Sequence, residues 1–497
     1  MSGPGLFDRM LGQSEWTPSV GGDLQPFTHP VDRRSLDSLL SREHDVLCRN
    51  AADPLEIAAG LEAAGISDRH ARASYGVATV FELAEQLYSQ VPRRLFAVPK
   101  ADPWARPRRE LLARGLIYAL PGLLLVACVQ HLVIAEAMIL LLVSVVTAGA
   151  NQALSRLYYL LAGRKKLAAA ASLLRQALVG SALAGALVGW LASSVGAVSL
   201  PGAALSALAV IYLVSATVVL LLDRHRILLR LLLPAVAMSL ASMFVPPDFI
   251  PFAAARVAGV MSIAGVVTVV GAFVTAWCLA RELASPEEPA RVVSLTWSDF
   301  GGSLSLFAHG CLSMTLLSLI PLTSMHTATG TPAALGPVML PAMLSLGAAE
   351  VHLYGFRQRA AGLLAGSSLS AFARAVRLHM LSRVTSYALL LIILTAAVAV
   401  VGRGSLAADA DASGHLLTYL LLCLALFVAS LLVSTGYVRT VVMIEVAALM
   451  LDVTMSHLPT SLASLTSAAV HVGSAGVLTA MMLVFGWVRL GRVVSYR

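Results

Sequence analysis

From residue 111 onward the chain is a succession of apolar blocks separated by short polar gaps. A helix needs about 20 consecutive apolar residues to cross the hydrocarbon layer. The pattern predicts twelve such helices, at 111–131, 133–155, 168–194, 203–222, 227–246, 253–280, 302–324, 333–354, 380–401, 415–435, 437–457 and 466–488. The gaps alternate in kind. One set carries Arg156, Arg164, Lys165 and Lys166, then Arg224, Arg226 and Arg230, then Arg281 and Arg291. It continues with Arg357, Arg359, Arg374, Arg377 and Arg383, then Arg439, and ends in a tail with Arg489, Arg492 and Arg497. The other set has almost no basic residues, Arg403 being the exception. It contains Pro201, Pro246-Pro247-Asp248, the run 325–332, Asp409 and Asp411, and His457-Leu458-Pro459. Membrane insertion leaves Lys and Arg loops in the cytoplasm. The alternation therefore predicts a multi-pass cell-membrane protein with both termini inside.

The gap 282–301 holds Glu282, Pro286, Glu287, Glu288 and Pro289, a composition that suits an exposed linker. It divides the helices into an N-lobe (111–281) and a C-lobe (302–497) of six each. The expected fold class is all-α, two six-helix lobes preceded by a small helical cytoplasmic unit. Six is even, so the halves share an orientation, as a parallel repeat requires. Leu157-Tyr158 opens the basic gap after the second helix and Leu353-Tyr354 the one after the eighth, an offset of 196. The first helices of the two halves differ by 191.

Ahead of the membrane part, residues 1–30 read as a disordered lead without the apolar core of a signal peptide. Residues 31–92 read as the helical unit. Asp53-Pro54-Leu55-Glu56 and Thr79-Val80-Phe81-Glu82 have the form of capping boxes. Ser67 can cap a helix between them, and Gly65, Gly76 and Pro92 mark helix ends. Leu55, Ala59, Leu61, Phe81, Leu83, Leu87 and Tyr88 are the expected core. Residues 93–110 form a Pro-broken basic linker with Arg93, Arg94, Lys100, Arg106, Arg108 and Arg109.

Composition sharpens the picture. Charged residues make up 12% of the chain, against about 25% in soluble domains. Residues 1–114 hold 14 basic and 15 acidic side chains, and the rest holds 21 and 12. The surplus of positive charge therefore belongs to the membrane part, where short dispersed basic loops suit lipid head groups rather than nucleic acid. The cysteines Cys48, Cys128, Cys278, Cys311 and Cys423 stand alone, with neither a disulfide framework nor a metal pattern. No phosphate-binding GxxxxGK[ST], HExxH or GxSxG motif occurs, and the gaps are too short to hold a catalytic domain. No enzyme activity and no cofactor are expected.

Ionisable residues inside the predicted helices carry the candidate chemistry, because each is expensive there. Arg175 can face a central cavity or snorkel to the inner surface. Arg256 can do the first or anchor the outer interface, and Glu350 can pair with Arg357. Glu445 and Asp452 lie seven residues apart on one helix, nearly two turns, so both point the same way. They can carry protons, bind a cation or pair with a basic neighbour. Asn151, Gln152, His309 and His471 add polar positions that also suit helix-packing hydrogen bonds. Pro337 and Pro341, one turn apart, should bend or soften the eighth helix.

Two superfamilies fit a 6+6 arrangement with cytoplasmic termini. The major facilitator signature needs an acid ahead of its Gly-Arg-Lys run. Here Leu160, Leu161 and Ala162 precede Gly163-Arg164-Lys165 and supply none. The stretch NQALSRLYYLLAGRKKLAAA resembles the second-helix exit of polysaccharide-exporting members of the multidrug/oligosaccharidyl-lipid/polysaccharide (MOP) exporter superfamily, especially the Pel type. LPAMLSLGAAEVHLYGFRQRAAG is similar to their eighth-helix exit. The resemblance implies alternating-access export or flipping of a polysaccharide or lipid-linked saccharide. Arg175, Arg256, Gln152 and His309 would line the substrate pathway, and Glu445, Asp452 and Glu350 would couple an ion. Partners would be membrane lipids and, through residues 31–92, glycosyltransferases or other polysaccharide-synthesis proteins. A MATE-like cation or drug antiporter and a scaffold that recruits a soluble synthase are the alternatives.

The topology is testable. Reporter fusions after Asp248 and Asp411 should report outside the cell, and fusions after Lys166 and Glu287 inside. Two reversed sites would sink the twelve-crossing reading.

Overall fold

In hydrocarbon a backbone N–H or C=O finds no partner but another backbone group, and every regular element among the described residues is an α-helix. The computed structural model describes residues 47–49, 51, 53–90, 110, 115, 117, 120, 134–194, 196, 198–244, 251–283, 297–326, 332–364, 369–401, 412–456 and 467–491. The lead 1–30, the linker 93–109, most of the first predicted span and of the linker 282–301, and the outer gaps near Asp248, Asp409 and Pro459 lie outside them. The chain divides into two units, Met1–Pro99 and Lys100–Arg497.

The first unit contains Pro54–Ala63 (α1), Asp68–Tyr75 (α2) and Val80–Gln90 (α3). Its ends are set by short-range hydrogen bonds. Asp53 accepts from the Leu55 N–H at 2.7 Å. Thr79 Oγ1 accepts from the Glu82 N–H, and Glu82 reaches one residue beyond Thr79 to accept from the Ala78 N–H at 2.9 Å, a variant of the capping box. Asp68 ties α2 to α3 by accepting from the Val80 N–H. Gly65 and Gly76 close α1 and α2 at φ +88° and +70°, a conformation glycine adopts without strain. The core is Ile57, Ala58, Leu61, Ala71, Val80, Leu83, Ala84 and Leu87, with Cys48, Ala51 and Val77. This corrects the expected core in part. Leu55 and Phe81 are 61% and 51% exposed, and Ala59 is exposed too. Helix α1 is apolar nearly all round, so composition left its phase open. Pro54 at the helix start and the packing of α1 on α3 fix it.

The second unit contains Ile134–Gly163 (α4), Leu167–Ser194 (α5), Leu200–Leu221 (α6), His225–Phe244 (α7), Pro251–Glu282 (α8), Trp297–His326 (α9), Pro332–Leu364 (α10), Leu369–Val401 (α11), Ala412–Ser434 (α12), Val438–Ser456 (α13) and Ser467–Arg489 (α14). Each coincides with a predicted apolar block. Eight of the described helices are long and apolar enough to cross a membrane by length and composition. Helix α13 falls short because Arg439, Glu445 and Asp452 crowd its 19 residues. Three boundaries move. Helix α4 runs on to Gly163, α10 to Leu364, and α11 starts at Leu369, so Arg156, Arg357, Arg359, Arg374 and Arg377 are helical rather than in loops. Helix α10 continues without a break through Pro337 and Pro341.

Three connections, at 164–166, 222–224 and 435–437, are as short as an antiparallel pair allows. Lys165, Asp223 and Gly436 adopt positive φ there. In each, the following N–H reaches back across the helix end, as Lys166 to the Leu161 carbonyl at 3.0 Å and Tyr437 to the Leu432 carbonyl at 3.0 Å.

Two large apolar cores result. One joins α4–α8 with Ile117 and Leu120, and the other joins α9–α14 with Ala137 of α4. Between the sequence halves, α4 packs along α9 more extensively than any other pair of helices. At its centre a Cβ on Gly310 would lie 2.8 Å from the Gly149 Cα and the Ala148 oxygen. A second crossing has the same character. A Cβ on Gly115 would lie 2.6 Å from the Gly347 Cα. The two crossings exchange under the internal repeat: Gly115 and Gly310 are 195 residues apart, Gly149 and Gly347 198. Backbone lies on backbone at both, which only glycine permits.

Gly310→Ala and Gly347→Ala should therefore each destabilise by about 1–3 kcal/mol, the usual cost of overpacking. Gly180→Ala, whose Cβ would meet nothing within 4 Å, should be neutral or stabilising. Thermal unfolding of the purified protein in detergent separates these outcomes. Equal effects at all three positions would remove the crossings from the account.

Candidate functional site

An apolar helix that carries an acid must bring it to a partner. Helix α13 carries two and lies between α9 and α14. Glu445 is fully buried, and both its oxygens lie 3.0 Å from His309 Nδ1 on α9. Ser313, one turn beyond His309, donates to Glu445 Oε1 at 3.0 Å. Asp452, 2% exposed, repeats the arrangement on the other side. Its oxygens lie 3.0 and 3.2 Å from His471 Nδ1 on α14, and the Ser474 hydroxyl donates to Oδ1. Each site is thus a carboxylate held by a His and by a Ser three or four residues further along the same helix.

The chemistry follows from the pairing. An ionised carboxylate facing Nδ1 makes that nitrogen the donor and leaves Nε2 to take a further proton. The group carries −1 with a neutral imidazole and zero with an imidazolium. Beside Asp452 and His471 lies a cavity of about 10 Å³, lined also by Leu316, Ile320, Thr418 and Leu422, room for one water. Among the described residues no three His, Cys, Asp or Glu gather in a way that could hold a metal ion.

The structure thus joins Glu445 to His309, a residue expected in the substrate pathway, and Asp452 to His471. It does not bring Arg175 to either acid, and the acids turn into the packing of α9, α13 and α14. Arg175 is half-buried on α5, without a hydrogen bond or ion pair among the described residues. Gln152 is exposed on α4, while its neighbour Asn151 donates to the Leu213 carbonyl at 3.2 Å. Glu350 is half-buried on α10. Arg256 lies in α8, its side chain outside the described residues.

Sequence reasoning missed Ser313 and Ser474. The signal was there: a Ser one turn after each of two membrane His residues, on helices flanking one that bears two acids. It also passed over two structural acids. Glu136 is buried and accepts from the Ser199 N–H and hydroxyl at the start of α6. Asp299, buried in the first turn of α9, takes a two-pronged ion pair from Arg164 at 2.9 and 3.1 Å.

No family model matches the chain, and no curated protein is similar to it in sequence at a significant level. Solved structures do match. The chain is similar to a MATE mutant at 14% identity and a TM-score of 0.50, over 79% of this chain and 97% of that one. A MATE in the straight conformation and an outward-facing multidrug resistance MATE family transporter of the MOP superfamily cover the same shares at 14% identity, with TM-scores of 0.49 and 0.48. At such identity the likeness is one of fold. It agrees with the exporter-superfamily resemblance at that level and gives no support to the Pel-type branch.

Removing one partner of a buried charged pair costs about 3–5 kcal/mol, whereas replacing both by apolar groups is often nearly neutral. His471→Leu should therefore destabilise strongly, and Asp452→Leu combined with it should recover most of the loss. A double-mutant cycle by denaturant unfolding reads the coupling, and additive effects would mean the pair is not charged.

Proposed function

We propose that the chain is a proton-coupled membrane transporter that works by alternating access of its two six-helix halves, with Glu445–His309 and Asp452–His471 as its proton stations. One observation carries this reading. His309 and Gly310 are neighbours on α9, so one turn of that helix meets both Glu445 and the backbone of α4 in the other half. A change of charge at Glu445 alters how α9 is held, and α9 makes the more extensive of the contacts between the halves. The fold shared with a MATE protein supports the same reading, and in it the basic gaps would face the cytoplasm of a cell-membrane protein, with both termini inside.

A small organic cation exchanged for protons is the substrate class that buried acids and a MATE-like fold favour. Export of a polysaccharide or lipid-linked saccharide is the second reading. Half-buried Arg175, a cation without a partner among the described residues, suits an anionic or pyrophosphate-linked substrate. In that case the N-terminal unit would recruit the synthesis enzymes.

The test is flux. Proteoliposomes of the full chain, preloaded with acidic buffer, should accumulate ethidium only while the pH gradient lasts. Glu445→Gln and Asp452→Asn should each lower the initial rate at least tenfold with insertion unchanged. Gradient-independent accumulation would overturn proton coupling. Absence of ethidium flux, with flux of an undecaprenyl-linked saccharide instead, would select the second reading.

A further inference from the structure

The inner ends of α10 and α11 hold a second arrangement, made of cations. His352, Gly355, Phe356 and Arg359 share one face of α10 at spacings of three and four residues, and His379, Arg383 and Tyr387 share the facing side of α11. The guanidinium of Arg383 lies flat over Gly355: a Cβ there would stand 3.1 Å from Cζ and from both terminal nitrogens. Its Nε donates to His379 Nε2 at 3.4 Å. The His379 ring is fixed in turn by a hydrogen bond to the Gly355 backbone and by stacking on buried Phe356 at 5.8 Å and 11°. His352 stands within electrostatic reach of Arg383, and Arg359 within reach of His379. His352 Nδ1 is buried without a hydrogen-bond partner.

Two features set this Arg apart from its neighbours. Arg377 donates to the Trp487 carbonyl at 3.0 Å and lies over the Trp487 ring, and Arg489 lies over Tyr437 and Phe485. Arg383 is held only through Nε, so its two terminal amines form an open fork with no carboxylate on it among the described residues. Such a fork matches two oxygens of a carboxylate or phosphate. Its level also matters. Residues 352–359 and 379–383 straddle 354 and 380, where hydropathy ends the eighth and begins the ninth predicted span. A hydropathy boundary of this kind is the level at which lipid phosphates are expected.

We propose that Arg383, positioned by His379 over Gly355, with His352 and Arg359 beside it, is a binding site for a phosphate-type oxyanion, taken from the head group of an anionic lipid of the inner leaflet. Lipid binding here needs the protein to sit in a membrane and does not need it to transport, so failure of one reading leaves the other standing.

The experiment uses the full chain in a zwitterionic detergent, titrated with phosphatidylglycerol, phosphatidylcholine or inorganic pyrophosphate, with thermal unfolding as the readout. Phosphatidylglycerol should raise the unfolding temperature and phosphatidylcholine should not. Arg383→Gln should weaken the apparent affinity at least tenfold, as loss of charge-assisted hydrogen bonds does. Arg374→Gln, which removes an exposed charge from the same helix, should leave it within about twofold. Equal losses in the two variants would mean diffuse attraction and overturn the site. So would the absence of an Arg383-dependent response to both phosphatidylglycerol and pyrophosphate. A response to pyrophosphate alone would overturn the lipid source and keep the oxyanion site. If Arg383→Gln does not fold, Gly355→Ala takes its place, since its Cβ would displace the guanidinium without changing charge. An unaltered lipid response there would overturn the proposal.

Discussion

A polar or charged group inside a membrane protein must find its partner within the protein, because hydrocarbon supplies none. Most of what is specific about this molecule follows from that requirement. It makes every described element a helix. It ties Glu136 to the N-terminus of α6, where backbone N–H groups need an acceptor. It sets Asp299 against Arg164, and it gives both acids of α13 a His and a Ser.

The glycine crossings set a second constraint. Helices in a bilayer gain little from the hydrophobic effect and hold together by close packing. Where α4 meets α9, and where Gly115 meets Gly347, the approach is backbone to backbone. The equivalence of the two crossings under an offset near 196 residues turns a faint trace, the paired Leu-Tyr steps at 157–158 and 353–354, into a structural relation. It also puts the acid site of the C-terminal half one residue from the contact between the halves. Only that half carries His-paired acids on adjacent helices among the described residues, so the repeat is one of scaffold rather than of chemistry.

Legibility in the sequence varied with the range of the interaction. The Thr79 cap on the Glu82 N–H and the stops at Gly65 and Gly76 could be read directly, since they involve residues within one turn, although the Glu82 side chain accepts from Ala78 rather than from Thr79. The N-terminal core was only half legible: Leu61, Leu83 and Leu87 are inside, while Leu55 and Phe81 are not. A helix that is apolar on most sides does not declare which side faces in. The extension of α4, α10 and α11 beyond the apolar blocks was also hidden, because hydropathy reports where lipid ends and not where helical hydrogen bonding ends.

What the sequence determined by itself is where the described helices of the membrane part fall, since apolar length is a property of single segments acting against a uniform solvent. It also singled out Glu445 and Asp452, because the cost of an acid in hydrocarbon does not depend on the neighbour that relieves it. Tertiary structure alone decided the partners. Glu445 finds His309 across 136 residues and Asp452 finds His471 across 19. Arg383 finds His379 on its own helix, but its seat on Gly355 comes from the helix before. Such choices depend on which faces of which helices close on each other, a matter of mutual packing that no single segment records.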